Sequence, residues 1–283
     1  MTSSDYAIRP MTRAELDQVV GWAAAEGWNP GMKDADCFYR ADPTGFRVGL
    51  LNGQPIAAIS AVKYGTSFGF IGFYIVRPEF RGQGYGWPIW QAGMAALAGR
   101  NVGLDGVVAQ QANYLKSGFS LAYRNIRYEG KVTSSMAEVS GLVPLASLPV
   151  EAVIDYDRRF FPAEREQFLR GWLAQPTHRG LGKVSGNDLI GYGVLRPCQT
   201  GYKIGPLFAE TAEIAEDIFR GLRSHLPPNT LFYLDTPEIN PAAVTLAEKY
   251  NMHRSFETAR MYTQQAPDLP LDQIFGVTTF ELG

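Results

Sequence analysis

The 283-residue sequence is poor in the side chains that usually build metal and redox centres: it has two cysteines, Cys37 and Cys198, and three histidines, His178, His225 and His253. Neither set shows ligand spacing, so no metal is expected. The two cysteines, one in each half of the chain, read as free thiols of a reducing compartment. Excess charge of one sign is missing too. Twenty-six Lys and Arg against 28 Asp and Glu leave a net charge of −2, with no run of like charge, which argues against a nucleic-acid surface. No apolar stretch reaches about 18 residues, and Asp5 and Arg9 interrupt the first ten positions. Neither a membrane span nor a signal peptide is therefore expected, and the cytoplasm is the expected compartment. What is present is apolar side chain, 46% of the residues, in a chain long enough to bury two ordinary cores.

The densest signal lies in residues 70–86. Phe70, Ile71, Phe73, Tyr74, Ile75 and Val76 make a short apolar run suited to a buried strand, and Pro78 cannot continue its ladder. A helix is expected to open near Gly86: Pro88 suits a first turn, Trp90, Met94 and Leu97 share one face, and Gly99 ends it. Between strand and helix, Gly82, Gly84 and Gly86 permit a tight turn that aims bare N–H groups at a ligand. The helix start adds its positive dipole end and Arg81 a full charge. A Gly-x-Gly turn beside an arginine is equally compatible with an ordinary solvated connection. Position 87 is Trp, so the third glycine of a dinucleotide fingerprint is absent, and no Gly-Lys-Ser/Thr follows for an ATPase-type phosphate loop.

The segment resembles motif A of the GNAT N-acetyltransferase superfamily, Arg/Gln-x-x-Gly-x-Gly/Ala, through Arg81, Gly84 and Gly86 after a hydrophobic strand ending in Val-x-Pro. Tyr114-Leu115-Lys116-Ser117-Gly118-Phe119, downstream of a strand-like run from Leu104 to Ala109, is similar to that family's Tyr-x-x-x-Gly-Phe at the end of its fourth helix. By itself, a tyrosine before a Gly-Phe helix stop is more often a packing residue; coming about thirty residues after a matching motif A, it is read as functional. One departure stands out: the family often carries Asn about seven residues before this Tyr, where this chain has Val107, and Asn113 is no assured replacement.

Internal comparison indicates a duplication. Shifted by 134 residues, Ile8, Pro10, Val19 and Trp22 fall on Leu142, Pro144, Val153 and Tyr156. Shifted by 133, Ile56, Val62, Ile71, Gly72 and Ile75 fall on Leu189, Leu195, Ile204, Gly205 and Phe208, and Tyr123 and Arg127 fall on Phe256 and Arg260. Residues 77–86 then correspond to 210–219, a helical pattern with Glu210, Glu213, Glu216 and Asp217 and no glycine, which would repel a pyrophosphate. Tyr114 corresponds to Ala247. One active and one degenerate half are expected, divided as 1–137 and 138–283, with the Ser, Thr and Gly-rich residues 129–141 as the linker. The basic turn from His178 to Gly182 is read as a loop.

This arrangement resembles two-domain GNAT proteins with a degenerate C-terminal domain. Residues 26–31, 201–208 and 275–283 are further similar segments. The resemblance implies tandem α/β (α+β) folds, each a mixed, mostly antiparallel sheet flanked by helices. It implies an acetyl-CoA-dependent N-acetyltransferase acting on a primary amine of a small molecule by direct attack, without a covalent enzyme intermediate. Arg81 and the amides of Gly82, Gln83, Gly84, Tyr85, Gly86 and Trp87 would then bind pyrophosphate, and Tyr74, Ile75 and Val76 the pantetheine arm. An amide near Ile75 would steady the thioester oxygen, and Tyr114 would donate a proton to the leaving thiolate. The general base stays unassigned, since Glu79 is more readily a solvated turn residue and a water relay is an equal choice. Trp28, Asp34 and Asp36 are candidate acceptor contacts, and the second half a candidate acceptor wall. A catalytically silent acyl-CoA sensor and a structural module are the alternatives. A monomer or homodimer is expected.

Overall fold

The computed structural model describes residues 5–133 and 139–283. Each half contributes five strands and then a sixth. In the first half these are β1 (Tyr6–Pro10), β2 (Phe46–Leu51), β3 (Gln54–Tyr64), β4 (Phe68–Val76), β5 (Asn101–Val107) and β6 (Ser120–Lys131). In the second they are β7 (Leu142–Pro144), β8 (Arg179–Ser185), β9 (Asp188–Pro197), β10 (Tyr202–Ala209), β11 (Leu231–Pro237) and β12 (His253–Tyr262), and a short β13 (Ile274–Gly276) follows. The helices are α1 (Arg13–Ala25), α2 (Asp34–Ala41), α3 (Gly86–Ala96) and α4 (Gln111–Lys116), then α5 (Val150–Asp157), α6 (Glu166–Leu173), α7 (Ala212–Arg223) and α8 (Pro241–Lys249).

All the strands join one sheet, in the order β1-β2-β3-β4-β5-β12-β6-β11-β10-β9-β8-β7, with β13 beside β10. The sixth strands are exchanged. β12 lies antiparallel to β5 of the first half, β6 lies antiparallel to β11 of the second, and β6 and β12 pair with one another. The duplication is thus a pseudo-twofold structure in which each half completes the sheet of the other, as in a domain swap.

Two matched ion pairs fasten the exchange. Arg127 on β6 grips Asp235 on β11 through Nε and Nη2 at 2.7 and 2.8 Å, and its counterpart Arg260 on β12 grips Asp105 on β5 at 2.9 and 2.6 Å. These are bidentate, buried pairs, the geometry in which an arginine best offsets the cost of leaving water. Burial works against the Asp235 charge, but Arg127 and Lys203 outweigh it and hold the carboxyl at about 2.

Three expectations are adjusted. The strand predicted over 70–76 begins two residues earlier, at Phe68. The turn from His178 to Gly182 is a correction: residues from Arg179 onward form β8 rather than a loop. Its glycines serve close packing, since a Cβ on Gly180 would sit 2.6 Å from Leu145 Cδ1. Of the linker 129–141, residues 129–131 belong to β6, while 134–138 lie outside the described residues. Residues 210–219 do become helical, within α7, which Thr211 caps by accepting a hydrogen bond from the Ile214 N–H. Among the described residues no helix is long and apolar enough to cross a membrane.

Candidate active site

The site begins as a fault in strand pairing. β4 and β5 run parallel from Phe68↔Asn101 to Ile71↔Leu104, and the pairing stops there. On the other side of β4 the register with β3 slips between Ala58↔Ile75 and Ser60↔Gly72, so β4 carries extra chain across the slip. Phe73 takes up the bulge with φ 46°, a left-handed conformation costly for an aromatic residue. Burial of its ring against Phe38, centroids 5.7 Å apart, helps hold it there. From Gly72 onward β4 therefore turns away from β5 and leaves backbone groups on that side without a strand partner.

The glycine turn follows at the end of this free edge. Gly82 and Gly84 have φ of 72° and 90°, so an L side chain at either would strain the loop even though a Cβ would meet nothing within 4 Å. Gly86 is needed for a different reason, because a Cβ there would lie 2.7 Å from the Tyr74 hydroxyl. α3 opens at Gly86 with no side-chain cap, which leaves the N–H groups of its first turn to other acceptors. Tyr85 is held by β1, whose Tyr6 hydroxyl donates to the Tyr85 carbonyl at 2.9 Å. Arg81 donates through Nε to the Val76 carbonyl at 2.8 Å and pairs through Nη2 with Glu26.

The free edge, the turn and Tyr114 open on one cavity of about 430 Å³. Of the residues singled out in the sequence, Trp28, Tyr74, Ile75, Val76, Arg81, Gly82, Gly84, Tyr85, Gly86 and Tyr114 line it. Gln83 folds back to the Glu79 carbonyl, and the Trp87 ring is more than half exposed outside the cavity. Asp34 and Asp36 are not brought to it. Asp34 is fully buried, accepting from the Gly31 N–H at 2.9 Å and facing Arg196 at 3.3 Å, and Asp36 pairs outward with Arg13 at 2.6 Å. Glu79 pairs with Arg77 at 2.5 Å and also stays outside. Asn113 bonds to Gln110, whereas Val107 and Gln110 themselves line the cavity.

Tyr114 packs on Trp90, ring centroids 5.7 Å apart, and against the bare backbone of Gly106, where a Cβ would be only 2.2 Å from the tyrosine ring. Burial, with a smaller contribution from Tyr74, pushes its phenol up to about 12, so it is fully protonated at neutral pH. It can donate a proton there but not remove one.

The far wall comes from the second half: Phe256 and Thr258 on β12, and Phe280 and Glu281 from the segment after β13. The exchanged strand β6 and the second half together hold the Trp28 loop in place. Arg127 Nη1 donates to the Trp28 carbonyl at 2.6 Å, Lys203 to the Asn29 carbonyl at 3.1 Å, and Asn29 exchanges hydrogen bonds with Thr200. Sequence reasoning missed Glu26, Phe256, Thr258, Phe280 and Glu281 as lining residues. Glu26, Phe280 and Glu281 lie inside segments already noted as family-like, but only the tertiary structure brings the second-half residues here, Phe256 and Thr258 through the exchanged β12.

The equivalent splay in the second half is closed. β10 and β11 pair in parallel from Tyr202↔Phe232 to Ile204↔Leu234 and then part, at the point matching Ile71↔Leu104. β13 pairs with β10 at Leu207 and Phe208, filling the gap that stays open beside β4.

Comparison with known proteins agrees with this geometry. The model "Acetyltransferase (GNAT) family" matches residues 11–119 and "Acetyltransferase (GNAT) domain" matches residues 153–276. The chain is 30% identical to the holothin acyltransferase of Pseudoalteromonas sp. (strain SANK 73390), over 98% of this chain and 95% of that protein. The chain belongs to the GNAT acetyltransferase family. It is a tandem GNAT acyltransferase, with one copy of the domain in each half. Its fold is similar to a putative acetyltransferase from Pyrococcus horikoshii, with a TM-score of 0.83 at 21% identity, covering 100% of this chain and 98% of that one. It is also similar to a tandem GNAT protein from the clavulanic acid biosynthesis pathway, with a TM-score of 0.63 at 13% identity, covering 93% of this chain and 100% of that one. In GNAT terms the first half has the open cleft and the second half has lost it.

Proposed function

We propose that the protein is an acetyl-CoA-dependent N-acetyltransferase that moves an acetyl group to the primary amine of a small molecule by direct attack in a ternary complex. The observation that carries the reading is the convergence of three features on one cavity: the unpaired edge of β4, the uncapped glycine turn and a protonated tyrosine. The turn amides and Arg81 would bind the pyrophosphate, and the free edge at residues 74–76 would pair with the pantetheine arm. A backbone amide near Ile75 would stabilise the oxygen of the tetrahedral intermediate. The amine nitrogen forms the new C–N bond, the C–S pair leaves on sulfur, and Tyr114 donates a hydrogen bond to that thiolate. The second half contributes the aromatic wall of the acceptor pocket, and Trp28 the facing one. The protein would act in the cytoplasm as a monomer or homodimer.

The test is CoA release from acetyl-CoA against a panel of small amines, with acetyl-CoA binding read separately from the rise in Tm. Amine-dependent CoA release with formation of the N-acetyl product supports the reading. Binding of acetyl-CoA without release against the whole panel favours a silent acyl-CoA sensor, and absence of binding refutes both.

A further inference from the structure

Glu281 is a buried carboxylate that no hydrogen bond among the described residues engages. It is 3% exposed, and neither carboxylate oxygen has a hydrogen-bond partner among the described residues. Buried carboxylates are ordinarily satisfied, because an unpaired one costs several kcal/mol in a low-dielectric site. Its position is specific. The Glu281 backbone carbonyl lies against Gly72, where a Cβ would come within 2.1 Å of that oxygen, and Gly72 is where β4 leaves β5. The residue borders the same cavity as Tyr74, Ile75 and Tyr114.

We propose that Glu281, supplied by the degenerate half, is the general base of the acyl transfer. The inference rests on the N-acetyltransferase reading above. Its carboxylate takes one proton from the acceptor ammonium, the freed lone pair forms the C–N bond, and the C–S electron pair leaves on sulfur. The second N–H proton passes to the thiolate, which the Tyr114 hydroxyl stabilises by donating a hydrogen bond, and Glu281 returns its proton to water. Protons balance: the ammonium loses two, one to solvent and one to CoA. The acceptor ammonium is then the missing hydrogen-bond donor of the buried carboxylate.

The charged groups around Glu281 come from four elements: Lys203 on β10, Asp34 on α2, Arg127 on β6 and Arg196 on β9. Asp105, Glu26 and Arg81 share the cavity. Burial raises the Glu281 carboxyl, with Asp34 adding to the rise and the three cations opposing it. A raised carboxyl is a stronger base than a free one, and it must lose its proton before it can act. Activity should therefore rise with pH through an acid limb.

The experiment uses the full chain and an amine that supports turnover. Glu281→Gln should lower kcat about 10²- to 10⁴-fold, leave acetyl-CoA affinity within about threefold, and abolish the acid limb of kcat. Glu281→Asp, which keeps the charge, should retain the limb at reduced kcat. A Gln variant within threefold of wild-type kcat overturns the proposal, as does an acid limb unchanged in that variant, which would belong to the acceptor's own ammonium. If the Gln variant fails to fold, as judged by acetyl-CoA titration, the Asp variant decides: an unchanged kcat with the carboxylate drawn back overturns the assignment. Failure of the parent reading looks different, since wild type would then release no CoA with any amine.

Discussion

Tyr114→Phe separates two ways in which a phenol can help a thiolate leave. The CoA thiol has an ordinary pKa of roughly 8.5, and the Tyr114 phenol is pushed up to about 12 by burial. Complete proton transfer from phenol to free thiolate is then uphill by about 3.5 pKa units, or about 5 kcal/mol. On the proposed mechanism Tyr114 would therefore act as a hydrogen-bond donor to developing charge rather than as a group that must ionise. A hydrogen bond to a charged group contributes about 1.5–3 kcal/mol, which corresponds to a loss of about 10- to 150-fold in kcat. Tyr114 lines the cavity and its ring packs on Trp90 and Gly106, so the Phe variant keeps the packing. Acetyl-CoA affinity by calorimetry should move less than about threefold. The pH profile gives a second check: a phenol at about 12 contributes no alkaline limb between pH 8 and 10. Unchanged kcat, or an alkaline limb in that range that disappears with the Phe variant, would refute the reasoning.

Other outcomes follow from the same geometry. Gly84→Ala places a side chain at φ 90°, at a strain of about 1–3 kcal/mol, and should weaken acetyl-CoA binding by fivefold or more in titration. Gly21→Ala, in a helix with open space around it, should instead stabilise the protein by about 0.5–1 kcal/mol. Glu26→Gln removes the carboxylate that competes for Arg81 and should tighten acetyl-CoA binding severalfold; weaker binding would show that Glu26 positions the arginine. Arg127→Leu leaves Asp235 buried with only Lys203 at 3.6 Å and should cost about 3–5 kcal/mol in urea unfolding. His178 is lowered from 6.5 to about 4, chiefly by burial. The unfolded chain binds that proton first, so the stability this site contributes is present above pH 6.5 and is lost, by up to about 3 kcal/mol, as pH falls to 4. His178→Phe should flatten that dependence.

Much of the first half was legible in the sequence because its determinants are local. The apolar run before Pro78 becomes β4, α3 opens at Gly86, and the glycines of the turn occupy left-handed φ that other residues avoid. The loss of the loop at 210–219 was legible for the same reason, since a capped acidic helix declares itself in a dozen residues. The segment from His178 to Gly182 misleads because glycines for a turn and glycines for a close approach look alike until the Leu145 side chain over them is seen.

By itself, then, the sequence determined the duplication, the family and the residues of the glycine turn, since each is encoded by neighbours along the chain. Only the tertiary structure decided that the sixth strands change places, that β13 closes one cleft while its counterpart stays open, and that Glu281 borders the open one. Asp34 looked as available as Trp28, yet Arg196, 162 positions away, draws it into the interior. Strand pairing and buried ion pairs join residues more than a hundred positions apart, and their energies depend on what else is excluded from water around them, which no local pattern records.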